Sequence, residues 1–170
     1  KQEFMQLGME YIGEDQMGSD IEMIKIVVDV MDAAGVKDYK IEVGHIENVA
    51  SRSEQEVNSL CNRHFHQVPE LPTIGDKQVL TKGSYLGDFA KMLMKKHPEC
   101  EQKVIYNTGL IKEMSYYTGI FFNILVEGVG YIVGSGGRYD DLYSKYGKEI
   151  SAVGFALEFE KLAMCFEELS

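Results

Sequence analysis

Basic residues are scarce in this sequence. Among its 170 residues, 17 are Lys or Arg and 27 are Asp or Glu, which gives a formal net charge of −10. Proteins that bind a nucleic-acid backbone concentrate Lys and Arg on one surface. The charge balance therefore argues against tRNA as a partner of this region.

Cysteine and long apolar runs are scarce as well. The three cysteines are odd in number and far apart in the chain, at Cys61, Cys100 and Cys165, which is typical of reduced thiols rather than of a disulfide framework. No apolar run approaches the roughly 18 residues that a membrane-spanning helix requires. We therefore expect a cytoplasmic protein that does not associate with a membrane.

What the sequence does contain is the patterning of one soluble domain. Hydrophobic residues make up 45% and charged residues 26% of the chain, which are ordinary values for a globular protein. Apolar periodicity and glycine positions predict a set of strands and a hairpin. The strands fall at 4–13, 38–45 and 103–111, and the hairpin lies within 115–142. A further short strand precedes an amphipathic helix within 151–170, whose apolar residues include Leu162 and Phe166.

The helices of the predicted domain are marked by caps and by apolar stripes. The pattern of residues 18–35 predicts a helix. Ser19 would be its N-cap, Glu22 would complete a capping box with Ser19, and Gly35 would end the helix. Within residues 46–104, two further helices are predicted, at 51–65 and 87–97, on either side of a loop that carries Pro69 and Pro72. Together with the hairpin, these elements predict one α+β domain over 1–170, a mainly antiparallel β-sheet flanked by helices.

The first strand has two chemically different faces. Side chains alternate across a strand, so Gln6 and Glu10 share one face while Leu7 and Met9 share the other. An amide and a carboxylate two pleats apart are more than a strand needs for packing alone. This face is a candidate binding surface.

Three local motifs suggest a ligand, and each fails on its spacing. Cys61, His64 and His66 lie close together, but the spacing matches no standard zinc site. The acidic segment 13–22 lacks the ligand spacing of an EF-hand loop. The glycine-rich segment 134–140 lacks the Lys-Ser/Thr of a P-loop and the pattern of a dinucleotide-binding turn. We therefore predict no metal site and no cofactor.

Four segments in order give a more specific signal than any of them alone. They are QLGMEYIG (6–13), MSYYTGIFF (114–122), GGRYDDL (136–142) and AVGFALEFEKL (152–162). Together they resemble the catalytic core of histidyl-tRNA synthetases and their relatives. The resemblance covers most of the chain and implies a class II synthetase-like fold. Relative to a complete synthetase, we expect this domain to lack an N-terminal portion and any anticodon-binding domain.

The resemblance implies a histidine pocket at the ends of the hairpin. By resemblance, Gln6 would meet the amino group of the ligand. Glu10 and Tyr117 would hydrogen-bond the imidazole, whose two nitrogens a carboxylate and a phenol can satisfy. The resemblance also implies that Tyr116 and Tyr139 line this pocket, and Arg138 of the GGRYD signature is included among its expected residues. A packed remnant that binds nothing is the alternative.

The sequence departs from the synthetase pattern where the resemblance implies an ATP site. Lys112 replaces the catalytic arginine of the first histidine signature, Lys161 replaces the arginine of the last motif, and Glu158 replaces a glycine. Lysine does not reproduce the bidentate fork of arginine, and a carboxylate repels a triphosphate. We therefore expect these three positions to be a degenerate ATP site, and we predict no catalytic residue.

With these departures, the sequence resembles the regulatory subunits of ATP phosphoribosyltransferase, which are synthetase paralogues. The resemblance implies a non-catalytic subunit in the first step of histidine biosynthesis, with a catalytic phosphoribosyltransferase subunit as its partner and histidine as its effector. It also implies that the protein associates with itself as a dimer. Two alternatives remain open: the catalytic core of a histidine–tRNA ligase, and a synthetase-like domain with an unrelated binding role.

Overall fold

The residues that the structure describes form a seven-stranded mixed sheet and four helices. The computed structural model describes residues 4–13, 16–50, 52, 55, 74–75, 80, 83–111, 116–144 and 147–168. The strands are β1 (Gln6–Ile12), β2 (Tyr39–His45), β3 (Ile74–Gly75), β4 (Val104–Asn107), β5 (Ile120–Val126), β6 (Ile132–Arg138) and β7 (Ala152–Glu158). The helices are α1 (Gln16–Ala33), α2 (Ile46–Ala50), α3 (Tyr85–Lys96) and α4 (Phe159–Glu168). Short 3₁₀ turns cover Pro98–Cys100 and Asp140–Leu142.

The sheet is mainly antiparallel, as the hairpin pattern predicts. Its strand order is β1-β7-β6-β5-β2-β4-β3, and among these described strands only β2 and β4 pair in parallel. The register aligns Glu10 with Gly154 and Gly154 with Gly137, so these three residues form one row across β1, β7 and β6. Strand β7, from the C-terminal part of the sequence, is thereby brought beside the N-terminal strand β1, and β6 lies next to β7.

Helix α1 covers one face of the sheet with the apolar stripe that its periodicity predicts. Ile21, Ile24, Val27, Val28 and Met31 are all buried, and Gly35 follows the helix with a positive φ of 83°, which fits a C-terminal stop. The prediction of Ser19 as N-cap is wrong. The helix begins at Gln16, and the Ser19 hydroxyl donates to the Gln16 carbonyl over 3.1 Å.

The other elements follow the sequence with two differences. The helix predicted around 87–97 is α3, which Ser84 caps through a bond from the Gly87 amide to its hydroxyl. Within the expected loop, Ile74 and Gly75 instead form a short strand beside β4. In α4, Leu162 is buried as predicted, whereas Phe166 is exposed. The segment around Cys61, His64 and His66 lies outside the described residues.

Strand β1 lies at the edge of the sheet, where only β7 pairs with it among the described strands. Its predicted apolar face is therefore only partly covered, with Leu7 53% and Met9 43% exposed. Helices α1 and α3 pack instead over β2, β5, β6 and β7, where the core lies. In the part of the chain that the structure describes, no helix combines the length and apolar character that crossing a membrane requires.

Candidate functional site

A cavity of about 450 Å³ opens on the sheet face that lies opposite α1. This is within the size range of about 300–1,000 Å³ that is usual for small-molecule sites. Strands β1, β6 and β7 form its floor, and the segments that flank β5 and β6 form its walls. Its lining residues are Gln6, Glu10, Tyr116, Tyr117, Ser135, Gly136, Gly137, Tyr139, Leu142, Tyr143, Gly154, Phe155 and Ala156.

The carboxylate of Glu10 lies across the neighbouring strand rather than pointing away from the sheet. A Cβ atom added at Gly154 would stand only 2.0 Å from Glu10 Oε2, so the absence of a side chain at Gly154 creates the space that the carboxylate occupies. Partial burial raises the pKa of Glu10, because a carboxylate loses solvation there. Among the residues that the structure describes, no ion pair involves this carboxylate.

A glycine on a neighbouring strand also makes room for the side chain of Tyr117. A Cβ atom added at Gly137 would lie 2.5 Å from the Tyr117 ring, so this ring packs directly on the backbone of β6. Burial raises the pKa of the Tyr117 phenol, and hydrogen bonding with Tyr116 adds to this effect. The phenol is therefore protonated at neutral pH and can donate a hydrogen bond.

Three tyrosines form a connected aromatic wall. The ring centroids of Tyr116 and Tyr117 are 4.6 Å apart, and Tyr116 meets Tyr139 edge-on at 6.4 Å. Tyr117 also contacts Phe121 at 5.9 Å. Aromatic rings at these spacings attract one another, so the wall is held by its own contacts as well as by the sheet.

Arg138 is placed differently from the other residues expected in the pocket. It does not line the cavity, because the β6 side chains alternate and Gly137 faces the cavity instead. The Arg138 side chain is 2% exposed and lies against α1, where it donates to Asp20 over 2.6 Å. Gln6, Glu10, Tyr116, Tyr117 and Tyr139 are brought together around the cavity.

The two described positions of the expected ATP site are paired with each other. Lys161 Nζ donates to Glu158 Oε1 over 2.8 Å, and both side chains are partly exposed. The ammonium group that stands at the arginine position is thus partly neutralised by the carboxylate three residues earlier. Lys112 lies outside the described residues.

Several cavity residues escape sequence reasoning. Ser135, Leu142 and Tyr143 line the cavity, yet a serine in a strand and residues just after a strand carry no local signal of binding. Gly137 and Gly154 are recognisable only as members of glycine-containing motifs, because their role depends on the side chain beside each of them. No group of three His, Cys, Asp or Glu side chains that could hold a metal ion occurs among the described residues.

Comparison with known protein families identifies the origin of this fold. A sequence model described as histidyl-tRNA synthetase matches residues 1–59 and 67–162. The match covers both the strand that carries Gln6 and Glu10 and the region from the hairpin to α4.

Curated relatives of similar sequence share one description, ATP phosphoribosyltransferase regulatory subunit. The relative from Thermoanaerobacter pseudethanolicus is 29% identical over 98% of this chain and 54% of its own length. The relative from Halothermothrix orenii is 31% identical over 95% of this chain and 48% of its own length. The chain therefore spans about half the length of the curated relatives that it matches.

Solved structures agree on the fold. A Bacillus halodurans protein described as an ATP phosphoribosyltransferase regulatory subunit/histidyl-tRNA synthetase superposes with a TM-score of 0.75, at 23% identity, over 94% of this chain and 52% of that one. The apo histidyl-tRNA synthetase of S. aureus superposes with a TM-score of 0.65, at 21% identity, over 97% of this chain and 40% of that one. By its sequence match and by its class II synthetase-like fold, the chain belongs to the histidyl-tRNA synthetase family.

Proposed function

We propose that this protein is a non-catalytic regulatory subunit of ATP phosphoribosyltransferase, acting in the cytoplasm in the first step of histidine biosynthesis. Free histidine is its effector and binds in the cavity on the sheet. The partner is a catalytic phosphoribosyltransferase subunit, and the protein also associates with itself. The observation that carries this proposal is the contrast between a cavity with polar and aromatic walls and a paired Lys161 and Glu158.

The cavity walls suit an imidazole. Glu10 supplies an acceptor and Tyr117 supplies a protonated phenol, and both lie on the backbone of the sheet at glycines. The Tyr116 and Tyr139 rings add flat apolar surface beside them. Because an imidazole has one donor and one acceptor nitrogen when neutral, a carboxylate and a phenol can satisfy both. Sites built from buried polar pairs discriminate strongly against ligands that lack the matching group.

The amino-acid end of the ligand has an amide available to it. Gln6 lines the cavity two pleats from Glu10 on the same face of β1. We assign it to the amino group of histidine. Ser135 lies on the cavity floor between the two and supplies a further hydroxyl.

Two observations favour the regulatory function over that of a histidine–tRNA ligase. Position 161 is a lysine, which has no guanidinium fork to stabilise a phosphate during adenylation, and its ammonium group is paired with Glu158. The net charge of −10 also opposes tRNA binding. The names of the curated relatives support the same choice.

The test is reconstitution with a short catalytic phosphoribosyltransferase subunit. Phosphoribosyl transfer from the mixed proteins is measured with and without histidine. We expect transfer to depend on this protein and to fall as histidine is added. In the Glu10→Gln variant, the histidine concentration for half-inhibition should rise by about tenfold or more, since a hydrogen bond to a charged group contributes roughly 1.5–3 kcal/mol.

Glu99→Gln is the matched control, because it makes the same chemical change on an exposed glutamate outside the cavity. It should leave half-inhibition at the wild-type value. Transfer that is independent of this protein would contradict the regulatory function. Charging of histidine tRNA by this protein would establish the ligase alternative instead.

A further inference from the structure

Arg138 is the most thoroughly bonded side chain in the described part of the molecule. It is 2% exposed, and each of its three nitrogens donates. Nε and Nη2 reach Asp20 Oδ1 at 2.9 and 2.6 Å, and Nη2 also reaches Ser19 Oγ at 2.7 Å and the Gln16 carbonyl at 2.8 Å. Nη1 reaches Asp140 Oδ1 at 2.9 Å.

We propose that Arg138 is a positioning residue for the cavity. From the opposite face of the sheet, it fixes the two segments that carry Tyr117 and Tyr139. This inference rests on the proposed function only for the identity of the ligand, because the positioning itself is a property of the free protein. Arg138 does not touch the ligand.

The first segment held in this way follows Tyr117. The Thr118 amide donates to the Arg138 carbonyl over 2.8 Å, and the Thr118 hydroxyl accepts from the Asp140 amide over 3.0 Å. Gly119 packs against the arginine side chain so closely that an added Cβ would lie 2.9 Å from Arg138 Cδ. The backbone on the C-terminal side of Tyr117 is therefore held both by the main chain and by the side chain of Arg138.

The second segment follows Tyr139. Asp140 Oδ1 accepts from Arg138 Nη1 and also from the Ala152 amide, over 2.8 Å. The Tyr139 amide in turn donates to the Ala152 carbonyl over 2.9 Å. One carboxylate oxygen thus joins Arg138 to the start of β7, and Tyr139 lies between the two connections.

The network is anchored to the helices behind the sheet. Asp20 of α1 is fully buried, and its other oxygen accepts from the Tyr85 hydroxyl of α3 over 2.6 Å. Arg138 therefore bridges Asp20, which the helices fix, and Asp140, which moves with the cavity wall. A planar guanidinium can donate to both carboxylates at once, whereas the ammonium of a lysine lacks this fixed fork.

The test compares wild type with Arg138→Lys, which keeps the charge opposite Asp20 and removes the fork. The first readout is amide hydrogen exchange in the free full-length protein. We expect exchange of the Thr118, Tyr139 and Ala152 amides to become about tenfold faster or more, which corresponds to about 1.4 kcal/mol of lost local protection. The Ile41 amide of β2, away from the cavity strands, donates to the Lys103 carbonyl and should keep its wild-type exchange rate.

The second readout is histidine affinity by titration calorimetry. Affinity should fall by about tenfold or more in Arg138→Lys, although the cavity lining is unchanged. If wild type binds no histidine, the proposed function fails while the exchange pattern still decides the role of Arg138. A uniform increase of exchange across all amides, or no change at the three amides, would overturn positioning in favour of a general contribution to stability.

Thr118→Val keeps the proposal testable if Arg138→Lys does not fold. It removes only the hydroxyl that accepts from Asp140, at a half-buried position of similar shape. We expect faster exchange at the same amides by a smaller factor, again without change at Ile41. Wild-type exchange at Tyr139 and Ala152 in this variant would overturn the proposal.

Discussion

Two regions of the molecule differ in how their polar side chains are arranged. In the first, which we call the open region, Gln6, Glu10 and Tyr117 border a cavity of about 450 Å³. In the second, the paired region, Glu158 and Lys161 neutralise one another over 2.8 Å. A domain that had become purely structural should fill or pair both regions. On the proposed function, the open region takes a small ligand and the paired region does not serve as a phosphate site.

The open region also carries a cost that a purely structural sheet would avoid. Partial burial raises the pKa of Glu10, which means that the folded protein holds this carboxylate in a less favourable environment than the unfolded chain does. A glutamine there would remove the cost. The presence of a carboxylate here in spite of this cost is the physical reason for proposing that the open region is functional.

Gly154→Ala should reduce histidine binding in the open region more than any other change. The new Cβ would stand 2.0 Å from Glu10 Oε2, so the carboxylate has to leave its place on β7. Moving the end of this flexible side chain costs the fold little, but the carboxylate is displaced from the position proposed for contact with the ligand. A hydrogen bond to a charged group contributes roughly 1.5–3 kcal/mol, so we expect histidine affinity in titration calorimetry to fall by up to about a hundredfold. Gly130→Ala is the control, since its Cβ meets nothing within 4 Å. Equal losses in both variants would contradict the role of Gly154.

Glu10→Gln should reduce histidine affinity somewhat less than Gly154→Ala does. It keeps the size of the side chain and removes the charge, so histidine affinity should fall by about tenfold or more. Calorimetric titration of this variant beside Glu99→Gln measures the difference. Near-equal affinities for wild type and Glu10→Gln would place the effector elsewhere.

Wild type and Glu10→Gln should differ in how their histidine affinity and their stability depend on pH. Since the folded pKa of Glu10 is raised, the carboxylate becomes protonated as pH falls through that value, and wild type should then lose the part of its histidine affinity that depends on the charge of Glu10. Protonation of the ligand's imidazole, whose ordinary pKa is about 6.5, affects both proteins and is measured by the Glu10→Gln titration. The stability of the free fold should change in the opposite sense. Ionisation of Glu10 costs stability, which is lost as pH rises from the ordinary glutamate pKa through the raised one. Melting temperatures across pH should therefore show a small gain for Glu10→Gln at neutral pH and none in acid.

Changes in the paired region should have the smallest effects. Lys161→Arg should not produce histidine-dependent ATP–pyrophosphate exchange, because Glu158 remains beside it. Lys161→Met should alter the free energy of unfolding by less than about 1 kcal/mol, since both side chains of the pair are partly exposed. Exchange activity in Lys161→Arg, or in wild type, would show that the paired region still handles ATP.

Much of the fold follows from patterns that the sequence shows locally. The stripe of α1, the turn at Gly35, the hairpin of β5 and β6, and the strand before α4 are all set by spacing and by glycine, and the structure confirms them. These elements are predictable because each depends on residues close together in the chain.

What could not be predicted depends on contacts between distant segments. Ser19 looks like an N-cap until Arg138 is found beside it, because the arginine comes from the other end of the chain. The value of Gly154 depends on the register that puts Glu10 against it. The exposure of Leu7 follows from the edge position of β1, which alternation alone does not determine.

The central claim is that the open region binds histidine although the paired region does not handle ATP. Calorimetric titration of histidine into the full-length wild-type protein, with and without ATP, tests it most directly. We expect saturable binding of one histidine per chain, with the same affinity in both titrations. Absence of histidine binding, or binding that appears only with ATP, would contradict the account.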